Sequence, residues 1–285
     1  PVVQQDQVGA VLPALSHHPD KCSLLFRSQL ANNRIKFPPS ILGKSIVMAL
    51  PTGLAHNPTS ERFGHLVSDW EDTYGQVWAQ DYGDPEEEYQ ALREAVVVLE
   101  YSPIRKWFVD GPDAIKVVDS IFSRDVAALP LGRLAYGVIV DDEGFMYEEL
   151  TVVKYSDERI LLMGGELDTQ AQIEKALLPG TTLTDRRDEY AVASIQGPNS
   201  RALLQRLTDA DVSNEALPYY GALYEVDVAG APASIFRVGF TAELGYEIMV
   251  PIAHTAQLWD AILGHPNSRF GHAPRLANRV VSLAN

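Results

Sequence analysis

Two strand-like segments of this 285-residue chain each carry a carboxylate among apolar neighbours. The first runs Leu134-Ala135-Tyr136-Gly137-Val138-Ile139-Val140, turns at Asp141-Asp142-Glu143-Gly144, and returns through Glu148-Glu149-Leu150-Thr151-Val152-Val153. The second runs Arg237-Val238-Gly239-Phe240-Thr241-Ala242-Glu243-Leu244-Gly245-Tyr246-Glu247-Ile248. A carboxylate taken out of water without a partner is expensive, so each segment invites a ligand that donates hydrogen bonds. Neighbours in a regular strand point to opposite faces. Only one of Glu148 and Glu149 can therefore enter a core, and Glu247 leaves its strand on the face opposite to Tyr246 and Ile248. The structural alternatives are an edge acid at Glu149, an ion pair of Glu247 with Arg237, and core aromatics at Tyr136 and Phe240.

The composition bounds the rest. A chain of this length with 46% hydrophobic residues can bury a large core in one or two domains. A net charge of −15 argues against nucleic acid, whose phosphates need a concentrated basic face. No apolar run approaches the roughly 20 residues that span a bilayer, so no membrane partner is expected. One cysteine, Cys22, excludes an internal disulfide framework and a cysteine-rich metal site. With no secretory leader recognisable in residues 1–30, a cytoplasmic location is the expectation. Asp84-Pro85-Glu86-Glu87-Glu88 has the chemistry of a helix start rather than of a metal site. His17-His18 are sequence neighbours and a poor ligand pair, and the scattered histidines support no Ser–His–Asp arrangement.

Residues 1–57 sustain no period of 2 or 3.6 and read as a poorly ordered or weakly packed extension. The body is expected over 58–263, followed by an atypical tail over 264–285. Within the body, Glu86 to Val98 predicts a helix, Lys106 to Asp110 a strand with Trp107 and Val109 on one face, and Pro112 a second helix start. The order strand, Gly-Pro turn, helix, strand, turn, strand occurs twice, over 109–155 and 195–250. It begins at Gly111-Pro112 and again at Gly197-Pro198, and Tyr246 to Val250 adds a closing strand. Two copies of an antiparallel α+β unit predict a pseudo-symmetric body with a small-molecule site in its central cleft.

Over roughly 82–263 the chain resembles the glycine-cleavage T-protein family of tetrahydrofolate-dependent one-carbon transferases. The resemblance is carried by Gly111-Pro112-Asp113-Ala114, Tyr136, Asp141 to Gly144 with Glu148-Glu149, Gln196-Gly197-Pro198, and Arg237 to Glu247, in that order. It implies tetrahydrofolate as cofactor and a small one-carbon donor as substrate, with a lipoyl carrier protein as a further partner. It places Glu149 at the reacting end of folate and Glu247 on the pterin. Tyr136 and Phe240 become walls of the pocket near Glu247, and Thr151 the strand position that passes the pterin. The implied activity is transfer of a methyl or methylene group to tetrahydrofolate, by an aminomethyltransferase or a demethylase. The alternative is a folate-binding protein without turnover.

The motifs also depart from the family pattern. The acidic pair is Glu-Glu rather than Asp-Asp, Phe145 stands for the second Gly of a Gly-Gly turn, and Ala242 replaces the Gly of Thr-Gly-Glu. The changed acidic pair tilts the donor toward an O-, N- or S-methyl compound. Members of the family continue into an arginine-bearing segment and a C-terminal β domain, whereas this chain reads Gly264 to Arg269 and stops at Asn285. That domain is expected to be missing, with Arg275 as the candidate for the arginine that clamps the folate tail.

Overall fold

In the computed structural model of the chain, the described residues are 53, 55–56, 58–64, 67, 69–73, 75–82, 85–141, 143–165, 167–264 and 275–276. The expectations for 1–57 and for the tail fall almost wholly outside them. Helix α1 (Pro58–Phe63) precedes the hairpin β1 (Asp69–Thr73) and β2 (Gln76–Asp81). Helix α2 (Pro85–Glu94) starts at its proline, with Glu86, Glu87 and Glu88 in the first turn, where the missing N–H costs nothing and the helix dipole favours acids. It stops short of the expected Val98. Residues 97–100 are instead strand β3 (Val97–Glu100), buried along its whole length. Val96, Val97 and Val98 are β-branched, and the burial available on both sides of a central strand outweighs the helical period that precedes them.

Strand β4 (Arg105–Asp110), helix α3 (Ala114–Asp119) and strands β5 (Leu134–Val140), β6 (Met146–Ser156) and β7 (Arg159–Gly164) form the first copy of the repeat. Its closing strand β7 lies beyond Tyr155, where the sequence pattern ends the unit. After helix α4 (Leu167–Ala176) and strand β8 (Thr182–Asp185) comes the second copy. It comprises β9 (Tyr190–Gln196), helix α5 (Ser200–Leu204), β10 (Ala222–Val228), β11 (Ala231–Phe236) and β12 (Gly245–Pro251). Helix α6 (Thr255–Leu263) and a short β13 (Arg275–Leu276), the strand that contains the backbone of Arg275, complete the described chain.

One sheet has the order β5-β6-β7-β4-β8 and the other β10-β11-β12-β9-β3-β13. The two copies therefore share one topology, since β4 pairs with β7 as β9 pairs with β12. The strand preceding each copy joins the other copy's sheet: β3 lies beside β9, and β8 beside β4. All these pairings are antiparallel, and β13 runs parallel to β3.

The turns obey the same symmetry. Gly111 N–H donates to Glu158 O at 2.9 Å and Gly197 N–H to Leu244 O at 2.8 Å, each just before the closing strand of its copy. Both glycines have left-handed φ, +134° and +123°. A Cβ on Gly111 would lie 2.3 Å from Gly180 O, and one on Gly197 would lie 2.6 Å from Ala95 O. The Gly-Pro turn of each copy is thus pressed against the chain that leads into the exchanged strand beside it.

The packing makes four layers. The outer face of the first sheet, with Trp107, Val109, Leu150 and Ile160, packs against Ala114, Val117 and Val118 of α3 and Ile173 of α4. The outer face of the second, with Ile195, Ile235, Tyr246 and Ile248, packs against Leu203 and Leu204 of α5 and Leu258, Trp259 and Ile262 of α6. The two inner faces meet in a core of Phe108, Leu134, Val153 and Leu161 from one sheet and Val97, Leu99, Val192, Phe236 and Met249 from the other.

Because the close approach is to backbone, which cannot step aside, Gly111→Ala and Gly197→Ala should each destabilise the fold by about 2 kcal/mol or more. Urea unfolding midpoints would measure this. A loss below about 0.5 kcal/mol, the range of a neutral surface change, would show that the two turns are not constrained as described.

Candidate functional site

The side chains singled out in the sequence line the two inner faces, on opposite sheets. On the first sheet, register places Tyr136 opposite Thr151 and Thr151 opposite Met163, whose other neighbour is Lys106. Thr151 is half-buried, and Glu149, one alternation further along β6, pairs with Val138. The Tyr136 hydroxyl donates to the Glu149 carboxylate across the two strands. Burial first, then the Glu149 contact, pushes the Tyr136 phenol up, so it stays a donor. Tyr136 is 41% exposed and Glu149 is exposed, so this pair forms the rim of the intersheet seam. Glu148 is the buried member of the acidic pair: it points to the outer face and accepts the N–H of Gly165.

On the second sheet, Glu247 lies between Phe236 on β11 and Ser194 on β9. Tyr246 and Ile248 enter the outer core, whereas Glu247 faces inward in the same row as Met249 and is 6% exposed. Its carboxyl forms no hydrogen bond among the described residues. Burial pushes it up to about 8, against the opposing pull of Lys106. Lys106 reaches the same interior from β4. It is fully buried, its Nζ donates to Ser102 O at 2.7 Å, and burial lowers it to about 7 in spite of Glu100. Arg237 does not pair with Glu247; its Nη1 donates to Leu217 O at 2.9 Å.

An aromatic series adjoins Glu247. The Tyr101 ring stacks on Phe240 with centroids 5.2 Å apart and meets Trp78 edge-on at 5.7 Å. Phe240 is 42% exposed and caps Tyr101, which is buried. Tyr136 shares the wall of Glu149 and not the sheet of Glu247. Phe240 belongs to the Glu247 side through Tyr101, whereas Tyr136 belongs to the opposite wall with Glu149, because β5 pairs with β6 and not with the second sheet.

Gln196 holds the loop that carries Phe240. Its amide donates to Ser194 Oγ at 2.8 Å, its Oε1 accepts from Thr241 Oγ1 at 3.0 Å, and Gly245 packs directly against it. Ser200 Oγ at the start of α5 donates to Leu244 O at 2.9 Å, tying the end of the loop to the helix. Ala242, in this loop, has φ +61°, a conformation strained for a residue with a Cβ.

Lys106 and Tyr101 are not among the expected site residues, and Gln196 enters the sequence reading only as part of the Gln-Gly-Pro turn. The signal for Lys106 was present: with Trp107 and Val109 on one face of the strand, Lys106 must share the other with Phe108. Tyr101 follows the end of β3, where no periodicity speaks for it. Two surface concavities, of about 450 and 380 Å3, are lined by other residues, Arg201 and Leu244 among the first and Gln76 and Arg105 among the second.

Comparison with known proteins agrees with this architecture. Residues 62–274 match the family described as the GCVT N-terminal domain, and the chain belongs to that family. An aminomethyltransferase of Streptomyces coelicolor is 32% identical over 187 residues, covering 64% of this chain and 50% of the relative. One from Listeria monocytogenes serotype 4a is 28% identical over 191 residues, covering 66% and 52%. The chain thus spans about half the length of the curated relatives it matches. The crystal structure of the glycine cleavage system aminomethyltransferase T from Bartonella henselae superposes with a TM-score of 0.68 at 20% identity, over 80% of this chain and 60% of that one, which shows the shared fold. Among the described residues no helix is long and apolar enough to cross a membrane.

Two outcomes follow for stability. Ala242→Gly should raise it by about 1 kcal/mol, since glycine adopts the left-handed conformation freely; an unchanged or lower unfolding midpoint would show that Ala242 is not strained. An acid whose folded value lies above its unfolded one favours the folded state at low pH and loses that advantage as pH rises through the folded value. Glu247→Gln should therefore melt higher than the unsubstituted chain by a margin that opens between about pH 4.5 and about pH 8 and then levels. A margin independent of pH would place the Glu247 carboxyl in water.

Proposed function

We propose that this chain is a tetrahydrofolate-dependent one-carbon transferase, which moves a methyl or methylene group from a small donor to tetrahydrofolate. The observation that carries the reading is Glu247: a buried carboxyl on the inner face, without a hydrogen bond among the described residues, beside flat aromatic side chains. A pterin offers an amino group and a ring N–H side by side, and one carboxylate accepts both in a bidentate pair. When bound, tetrahydrofolate supplies a nucleophilic nitrogen for the one-carbon unit. Glu247 fixes the ring, Phe240 excludes water from its face, and Thr151 lies on the opposing strand.

Glu149 is assigned to the reacting end. At the rim it is oriented by the Tyr136 hydroxyl, and a carboxylate held there stabilises positive charge that develops during transfer. Tyr136 thus acts both as a wall and as the group that aims Glu149. The longer reach of Glu than of Asp favours a methylated O-, N- or S-donor over an aminomethyl-lipoyl carrier. A cytoplasmic setting belongs to this same proposal; a lipoyl carrier protein is the partner of the disfavoured aminomethyl donor only.

Calorimetric titration with tetrahydrofolate tests the grip. Glu247→Gln should weaken binding by about 1.5–3 kcal/mol, because a charge-assisted pair becomes a neutral contact. Affinity of the unsubstituted chain should rise with pH toward about 8, since accepting both donors requires the ionised carboxylate. Glu149→Gln should lower turnover on a methyl donor more than it lowers affinity. Unchanged affinity in the Glu247 variant would sink the binding assignment, and binding without turnover on any methyl or aminomethyl donor would sink the transferase reading.

A further inference from the structure

We propose that Tyr101 is a specificity-determining residue of the Glu247 site, its hydroxyl donating to a ring acceptor beside the two donors that Glu247 accepts. This deepens the folate reading and rests on it. The Tyr101 hydroxyl is buried and has no hydrogen-bond partner among the described residues. Buried hydroxyls are almost always paired, so one left alone calls for an explanation. The charged group that acts on it is the Glu247 carboxyl, which is likewise without a hydrogen bond. The carboxyl is a pure acceptor when ionised and the hydroxyl a donor; the Tyr101 ring lies stacked under Phe240, and the Glu247 charge acts on its hydroxyl.

Their chemistry fits one edge of a 4-oxo pterin. That edge carries an amino group, a ring N–H and a carbonyl oxygen in succession. Glu247 takes the two donors, which leaves the carbonyl in need of a donor. Burial and the neighbouring carboxylate keep the Tyr101 phenol protonated, as that role requires. Lys106 points one donor to Ser102 O.

The fold does not by itself demand a tyrosine here. Tyr101 follows the exchanged strand β3, and its N–H donates to Val192 O at 2.9 Å. In the other copy of the repeat the same place, after β8, is taken by Arg186, whose N–H donates to Lys106 O at 2.8 Å. The position accepts very different side chains, so the phenol answers to the site and not to the backbone. Phe240, half exposed and stacked on the Tyr101 ring, is the side chain that must swing aside for a flat ligand to reach both groups.

Tyr101→Phe tests the assignment, because it keeps the ring stack and removes only the hydroxyl. Tetrahydrofolate and 6-methyltetrahydropterin, which lacks the aminobenzoyl-glutamate tail, should both bind about 5- to 20-fold more weakly to the variant, the range expected for one buried hydrogen bond. The ligand-free variant should melt at the same temperature as the unsubstituted chain or above it, since a buried unpaired group has been removed. Unchanged affinity for both compounds would overturn the proposal, as would a loss confined to tetrahydrofolate, which would move the contact to the tail. A lowered melting temperature would show that the hydroxyl serves the fold. Failure of the unsubstituted chain to bind either compound would instead overturn the folate reading, and this inference with it.

Discussion

The exchange of β3 and β8 between the two copies of the repeat is the constraint on which the rest of the structure depends. Each strand precedes one copy in the chain and hydrogen-bonds into the sheet of the other. Neither sheet is completed from its own copy, since each takes one strand from the chain that leads into the other copy. The exchange also fixes how the sheets face each other. The chain passes from β3 into β4 and from β8 into β9, and so crosses from one sheet to the other twice, while the residue after each exchanged strand extends the ladder with its new neighbour, Tyr101 N–H to Val192 O and Arg186 N–H to Lys106 O. Both inner faces are thereby held together along an apolar seam, and any polar group placed there is cut off from water by both halves at once.

Under that constraint, the buried charges cannot all be neutralised by one another. Glu100 and Glu247 are both buried, and Lys106 is the ammonium that acts on each of them. Glu100 has local compensation, since the Ser102 N–H donates to it at 2.6 Å. Glu247 has none, and desolvation therefore dominates its behaviour. A carboxyl in this state is neutral at modest pH and becomes an acceptor when donors arrive. The site's readiness for a ligand and its cost to the empty fold are consequently the same free energy seen from two sides. At the rim, Tyr136 and Glu149 stand in contact with solvent, satisfy each other, and impose no comparable cost.

Much of this was legible in the sequence because the repeat carries strong local markers. The Gly-Pro turns at Gly111 and Gly197, the helices that follow them and the alternation around Glu247 all follow from backbone sterics and period-2 burial, which are local. What was not legible depended on partners distant in sequence. Val97 and Val98 read as a continuation of α2 because nothing nearby reveals that β9 and β13 will flank them. The closing strand β7, fully apolar from Ile160 to Met163, has no alternation to mark it because helices cover one face and the second sheet the other. Tyr136 and Glu247 come together in the sequence only through one family resemblance. The pairing of β5 with β6 shows that Tyr136 stands on the other wall. Lys106 and Tyr101 come to Glu247 through the strand exchange, which no single segment encodes.

The repeat also shows where the site departs from its own scaffold. Since Phe108 pairs with Leu161 as Ser194 pairs with Glu247, Glu247 occupies in one copy the place that Leu161 occupies in the other. By the same register Lys106, opposite Met163, is the counterpart of Val192, opposite Met249. The other copy fills each of these two places with an apolar residue, so the repeat's register does not itself call for a charge there. Each copy contributes one charge, and the exchange of strands brings the two together across the seam. A lone carboxyl on the inner face would have only burial acting on it; the ammonium from the opposite copy moderates the rise and keeps ionisation within reach near neutral pH. Symmetry builds the enclosure, and the two places where symmetry is broken give it a chemical direction, with a carboxyl that recognises donors inside and a tyrosine-aimed carboxylate at the rim.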